Sequence, residues 1–187
     1  SEHICGTKCD TYDYGKGGWQ SGRAMIVNVN PTFVQTLFDG NTSDFRYKKL
    51  WTYERTGLMI YGYVLRKYRC FYTGTKAAQN FPIIRLSEMY YIAAECEPKV
   101  SDGNSWLNQI RTLRGLPEIT ITDENELMSK LRIEYLREFW GEGQIFFMYK
   151  RLFVNILNTE NGHNTSTYGA SAARYVPPMP AKEIENR

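Results

Sequence analysis

The sequence predicts a mainly α fold built of helical hairpins, with a loop-rich N-terminal segment carrying minor β structure. Three observations predict it. Apolar residues recur at helical spacing in four segments between residues 85 and 157. The last two segments flank a paired-glycine elbow, Gly141 and Gly143, where a backbone without Cβ atoms turns without strain. Before residue 58 that periodicity is missing, and Gly, Asn, Asp and Pro are spaced through the chain as turn formers.

In the first 57 residues, Tyr12, Tyr14 and Trp19 are interleaved with Gly15, Gly17 and Gly18, which suits a loop with exposed rings. Phe33, Leu37 and Phe38 fit a short helix beginning after Pro31. Phe45, Tyr47 and Trp51 need burial, so the region is not read as disordered. Leu58–Tyr72 is rich in Tyr, Val and Ile and alternates weakly, which predicts one or two strands. Its Arg66, Lys67 and Arg69 fit the outer positions of a half-exposed strand better than a nucleic-acid surface.

From Phe81 the pattern turns helical. Leu86, Met89, Tyr90, Ala93 and Ala94 share one predicted face, and Pro98 marks the exit. Asp102 is the expected N-cap of the next helix, on which Trp106, Ile110 and Leu113 share a face. Gly115 with Pro117 reads as its stop. Asp123 with Glu126 resembles a capping box and opens the helix of Leu131, Tyr135 and Phe139. Beyond the elbow, Ile145, Tyr149, Leu152 and Ile156 continue at helical spacing. The result is two hairpins, about 85–97 with 103–114 and about 124–140 with 144–157. Residues 158–174 read as a polar surface loop. The segment from Tyr175 begins extended because Pro177, Pro178 and Pro180 forbid helix, and it closes with a helical turn from Lys182.

Composition excludes several classes. At 187 residues the chain fits one domain or a substantial piece of a larger one. A net charge of +3 is too small for a nucleic-acid or membrane-surface footprint. No apolar run approaches the length that spans a bilayer. The N-terminus lacks the pattern of a signal peptide and an initiator Met, so the chain reads as a processed product or a fragment. Aromatic residues make up 14% of the chain, including 14 Tyr, which suits cores, interfaces and sugar-binding surfaces alike.

Motifs for catalysis are missing. His3 and His163 have no ligand or triad partner at a recognisable spacing, and there is no nucleophile elbow, phosphate loop or zinc-protease motif. Cys5 and Cys9 are close enough for a small disulfide loop or half a metal site, with no paired His or Cys at finger-like spacing to complete one. Cys96, on an apolar helix, is expected as a buried free thiol, and the cysteines do not fix a redox compartment. Glu134, Glu138 and Glu142 lie a helical turn apart and could look like paired catalytic carboxylates. Ion pairs within the helix to Arg132 and Arg137, or a buried contact from Glu to backbone, explain them more economically. Asn41-Thr-Ser and Asn164-Thr-Ser match the short glycosylation sequon.

Four stretches, in order, resemble segments of the RagB/SusD family, the surface glycan-binding lipoproteins of Bacteroidetes. They are Phe81-Pro-Ile-Ile-Arg-Leu-Ser-Glu-Met-Tyr-Tyr-Ile-Ala-Ala-Glu95, Leu107-Asn-Gln-Ile-Arg-Thr-Leu-Arg-Gly-Leu-Pro117, Glu134–Arg151 and Pro178-Met-Pro-Ala-Lys-Glu-Ile184. Tyr135, Ile145 and Met148 depart from the family pattern, which often carries charged residues there. The resemblance implies TPR-like helical hairpins and a full-length relative more than twice as long. Residues 1–187 would then be the C-terminal part of one SusD-like domain: a loop-rich, ligand-facing segment at 1–80, hairpins at 81–157, and a polar loop with a Pro-rich tail at 158–187.

The resemblance also implies a function: non-catalytic capture of oligosaccharides at the cell surface, with no cofactor or metal. The ligand would be passed to a SusC-like TonB-dependent outer-membrane transporter, and a lipid anchor outside this chain would supply the membrane attachment. The matching segments are scaffold, so ring stacking on sugar falls to the aromatics before Leu58, namely Tyr12, Tyr14, Trp19 and Trp51. A different class of reading is a helical-repeat scaffold for protein–protein interaction without a glycan site.

Overall fold

The computed structural model describes residues 3–9, 31–57, 60–65, 79–157 and 167–176. In chain order the elements are β1 (His3–Cys9), α1 (Pro31–Leu37), α2 (Phe45–Leu50), β2 (Trp51–Gly57), β3 (Ile60–Leu65) and β4 (Gln79–Arg85), followed by α3 (Leu86–Cys96), α4 (Val100–Leu113), α5 (Glu124–Phe139), α6 (Gln144–Leu152), β5 (Ile156–Leu157), β6 (Thr167–Tyr168) and α7 (Ala172–Tyr175). The fold is mainly α with minor strands, as the sequence predicts. Among the described residues the strands pair antiparallel as β1 with β4, β2 with β3, and β5 with β6.

The helix predicted after Pro31 forms and begins at Pro31 itself, the position where a fixed φ and a missing N–H are best tolerated. Residues 81–85, expected to lead into helix, are instead strand β4. Pro82 disfavours helix for its neighbour, and Ile83 and Ile84 are β-branched, so helix starts only at Leu86. Cys5 and Cys9 both lie on strand β1.

The first hairpin forms where predicted, with two corrections. The buried stripe of α3 is Ser87, Tyr91 and Ala94, while Leu86, Met89 and Cys96 face outward. The buried stripe of α4 is Gly103, Leu107 and Ile110, and Leu113 is exposed. The rotation follows from close approach: a Cβ on Gly103 would sit 2.5 Å from the Ala94 carbonyl oxygen and 2.9 Å from Leu127. Two helices meeting at that distance must place their smallest residues at the contact. Helix α4 also starts before Asp102, because Lys99 is the extended cap residue and its carbonyl accepts from the N–H groups of Asp102 and Gly103.

Helix α5 carries the predicted stripe. Leu127, Leu131, Tyr135 and Phe139 enter a core shared with Tyr91 and Leu107. Asp123 caps it by accepting from the Glu126 N–H at 2.8 Å. The elbow turns through Gly141 (φ 79°) and Gly143 (φ 90°), the latter being the residue before α6. Helix α6 stops at Leu152 because Phe153 adopts a left-handed conformation, so Ile156 joins β5 rather than continuing the helix. Leu136, on another side of α5, enters a second core with Val34, Phe38, Trp51, Tyr149 and Tyr175. Tyr175 arrives on α7, which takes 172–174 from the stretch expected to be loop and Tyr175 from the one expected to be extended, and its hydroxyl donates to the Val154 carbonyl. The closing turn expected from Lys182 lies outside the described residues.

Candidate functional site

Two groupings of chemistry-bearing side chains stand out. The first surrounds α5, where Glu134 and Glu138 project one turn apart and are 1% and 2% exposed. Arg46, from α2, bridges them with contacts of 2.7 Å to Glu134 and 3.2 Å to Glu138, while also bonding Asp44. Arg111 and Arg137 complete the shell of Glu134 at 3.3 Å and 3.0 Å. Arg114 at 2.9 Å and Arg85 complete that of Glu138. Arg85 also bonds Glu142. Of these pairs, only Arg137–Glu134 lies within one helix. The expectation of intrahelical pairs is thus corrected to a network drawn from five elements, which α2, β4, α4 and α5 itself supply along with the loop beyond α4.

The electrostatics follow from that shell. Burial alone would push the Glu138 carboxyl up, but the Arg114 hydrogen bond and the charges of Arg114, Arg46 and Arg85 bring it down to about 2. Burial would lower the Arg46 guanidinium, and the facing Glu134 and Asp44 outweigh it and raise it. The Tyr91 hydroxyl, buried beside Glu138 and Glu134, is raised. A general acid needs the opposite environment, a carboxyl held above its usual range and reachable by substrate. Glu138 is held the other way, and Glu134 is buried against Arg46, Arg111 and Arg137, so both carboxylates tie elements of the fold together. The cleft beside them, lined by Asp39, Asn41, Arg111 and Lys130 among others, holds about 100 Å³. That is well below the ~300 Å³ at which ligand pockets begin.

The second grouping is the β2–β3 hairpin. Its register pairs Trp51 with Leu65, Tyr53 with Tyr63, and Arg55 with Tyr61. Alternation puts Trp51, Tyr53 and Arg55 with Tyr61, Tyr63 and Leu65 on one face. The inner end of that face is core: Trp51 is 4% exposed and its ring lies 6.3 Å from that of Trp140. The outer end leaves the core, and Tyr53 and Tyr61 are 55% and 54% exposed. Their rings stack with centroids 6.2 Å apart and planes 23° from parallel. Tyr63 meets Tyr53 edge-on at 5.4 Å, and its hydroxyl is 2.7 Å from that of Tyr47 on α2. That hydrogen bond, with burial, raises the Tyr63 hydroxyl above the usual tyrosine range.

The sequence-predicted ligand residues are placed unevenly. Trp51 fills the second core, where its ring is closed to solvent. Tyr12, Tyr14 and Trp19 lie outside the described residues. The Tyr53–Tyr61 pair was not foreseen, because the strand was expected only from Leu58. The signal was there in the alternation of Trp51, Tyr53 and Arg55 against Tyr61, Tyr63 and Leu65 on either side of Gly57.

Comparison with known proteins gives the setting. A sequence model of the SusD family matches residues 11–186. A SusD-like carbohydrate-binding protein from Bacteroides vulgatus superposes with a TM-score of 0.72 at 19% identity, covering 98% of this chain and 47% of its own. Surface glycan-binding protein A from Bacteroides uniformis gives 0.61 at 17% identity, with coverages of 99% and 47%. A SusD superfamily protein from B. vulgatus gives 0.57 at 24% identity, with coverages of 76% and 31%. The chain thus spans about half the length, or less, of these structures. No protein of curated function matches the sequence.

Proposed function

The chain belongs to the SusD family, and on that premise we propose that it captures oligosaccharides at the cell surface without cleaving them. The family match over residues 11–186 carries this reading. The shared fold with proteins described as carbohydrate-binding and glycan-binding supports it. So does the chemistry of α5, whose carboxylates are spent on arginines rather than presented to a substrate.

In this reading the chain is the C-terminal part of one SusD-like domain, and the captured glycan is delivered to a TonB-dependent outer-membrane transporter. The complete protein would be held at the outer membrane by a lipid anchor. Tyr12, Tyr14 and Trp19 are proposed sugar contacts, because glycine-rich loops can present ring faces to the C–H faces of a sugar. A specific observation favours the scaffold reading as the alternative. Leu86, Met89 and Ile92 of α3 are each about two-fifths exposed, a row suited to docking another helical surface.

The experiment is an array of neutral oligosaccharides probed with the protein, with chromatography of the bound sugar afterwards. Capture requires retention of at least one glycan class and its recovery intact. Shortened products, or no retention of any glycan, would contradict the reading.

A further inference from the structure

We infer that Tyr53 and Tyr61 form a sugar-stacking platform for linear oligosaccharides, an assignment that rests on the glycan-capture reading and deepens it. The platform is a surface rather than a pocket. Hairpin β2–β3 holds two tyrosine rings with planes 23° from parallel and centroids 6.2 Å apart, each more than half exposed.

The geometry behind the pair is that of a prepared surface. Tyr63 packs its ring edge-on against Tyr53, and its own hydroxyl is tied to that of Tyr47 on the neighbouring helix. Trp51 anchors the same face of the hairpin in the core. Tyr53 is therefore propped from behind, and less side-chain freedom remains to be lost when a ligand settles on it. Hairpin stability alone would explain one cross-strand contact, Tyr53 with Tyr63. It does not require the diagonal Tyr61 to extend the row outward with its ring in solvent.

The chemistry of the surface selects the ligand class. A pyranose presents an apolar patch of C–H groups on its face and hydroxyls around its rim. Each tyrosine offers exposed ring surface for the first and a phenolic hydroxyl, donor and acceptor both, for the second. Two adjacent rings at this spacing match consecutive units of a linear chain better than a single monosaccharide. An open surface accepts a chain running past at both ends, as the roughly 100 Å³ cleft beside α5 does not.

The test is equilibrium titration of the whole protein and its variants with neutral gluco-, xylo- and manno-oligosaccharides in α- and β-linked forms, with thermal melting as a folding control. Tyr53→Ala and Tyr61→Ala should each raise Kd on the order of tenfold for the bound sugar. Tyr53→Phe and Tyr61→Phe, which keep the ring, should stay within about threefold. If an alanine variant fails to fold, the leucine variant decides, because it keeps apolar bulk and loses the flat face. Folded alanine or leucine variants that bind as tightly as the unaltered protein would overturn the platform while leaving glycan capture standing. An unaltered protein that binds none of these sugars would overturn both.

Discussion

Arg46 and Glu138 are 92 residues apart in sequence and 3.2 Å apart in the fold, both almost wholly buried. Through this contact, helix α2 is fastened to the helix that leads into the glycine elbow. Removing one partner of a buried pair strands the other charge, which costs about 3–5 kcal/mol. Arg46→Met should therefore lower the unfolding free energy obtained from urea denaturation by about 3–5 kcal/mol. Arg46→Lys should recover only part of it, since one ammonium does not reach Asp44, Glu134 and Glu138 together. A loss below about 1 kcal/mol, the surface-pair range, would contradict the network.

Acid should loosen the same region in a defined window. The carboxyl of Glu138 is lowered in the fold from 4.5 to about 2. A depressed carboxyl contributes stability that is complete above the unfolded value and is lost as pH falls through the folded one. Denaturant midpoints should therefore decline between about pH 4.5 and 2. Glu138→Gln should flatten that decline while lowering stability near neutrality.

Gly103 brings α4 close against α3, and the atom a Cβ would strike is the backbone oxygen of Ala94. A main-chain carbonyl does not swing aside as a side-chain tip does. Gly103→Ala should thus destabilise by about 1–3 kcal/mol, despite alanine's better helix propensity. Unchanged or raised thermal stability would show that the helices separate without cost.

The tyrosine hairpin gives a separate spectroscopic prediction. Tyr47→Phe removes the hydroxyl partner of Tyr63, the first cause of that residue's raised titration. The Tyr63 ring signal should then titrate at lower pH, with a stability loss of about 1 kcal/mol. A midpoint left where it was would mean that the hydroxyl pair does not hold the ring.

Much of the helical half was legible because its signals are local. The stripe of Leu131, Tyr135 and Phe139, the Asp123 cap and the Gly141–Gly143 elbow each depend on neighbours within a few residues. What could not be read depends on partners far along the chain. Periodicity put Tyr90 on the shared face, and only the approach of Gly103 to Ala94 and the ring of Phe139 bring Tyr91 inward instead. The carboxylates of α5 looked like intrahelical pairs because their arginines sit at positions 46, 85, 111 and 114. At the candidate site, Trp51 looked available since a tryptophan among turn formers does not announce the Trp140 it packs against. Tyr53 and Tyr61 escaped notice because two short strands share too few residues for alternation to be plain.

Glycan capture is tested most directly by finding where on the protein a sugar sits. Ring-labelled tyrosine spectra can be followed while the oligosaccharide retained most strongly on the array is titrated into the whole protein, with Tyr53→Phe and Tyr61→Phe assigning the two signals. Capture on the hairpin requires saturable shifts at Tyr53 and Tyr61, with buried Tyr91 unmoved. Saturable binding that leaves both hairpin rings unperturbed would contradict the hairpin site, and spectra that no oligosaccharide alters would contradict capture itself.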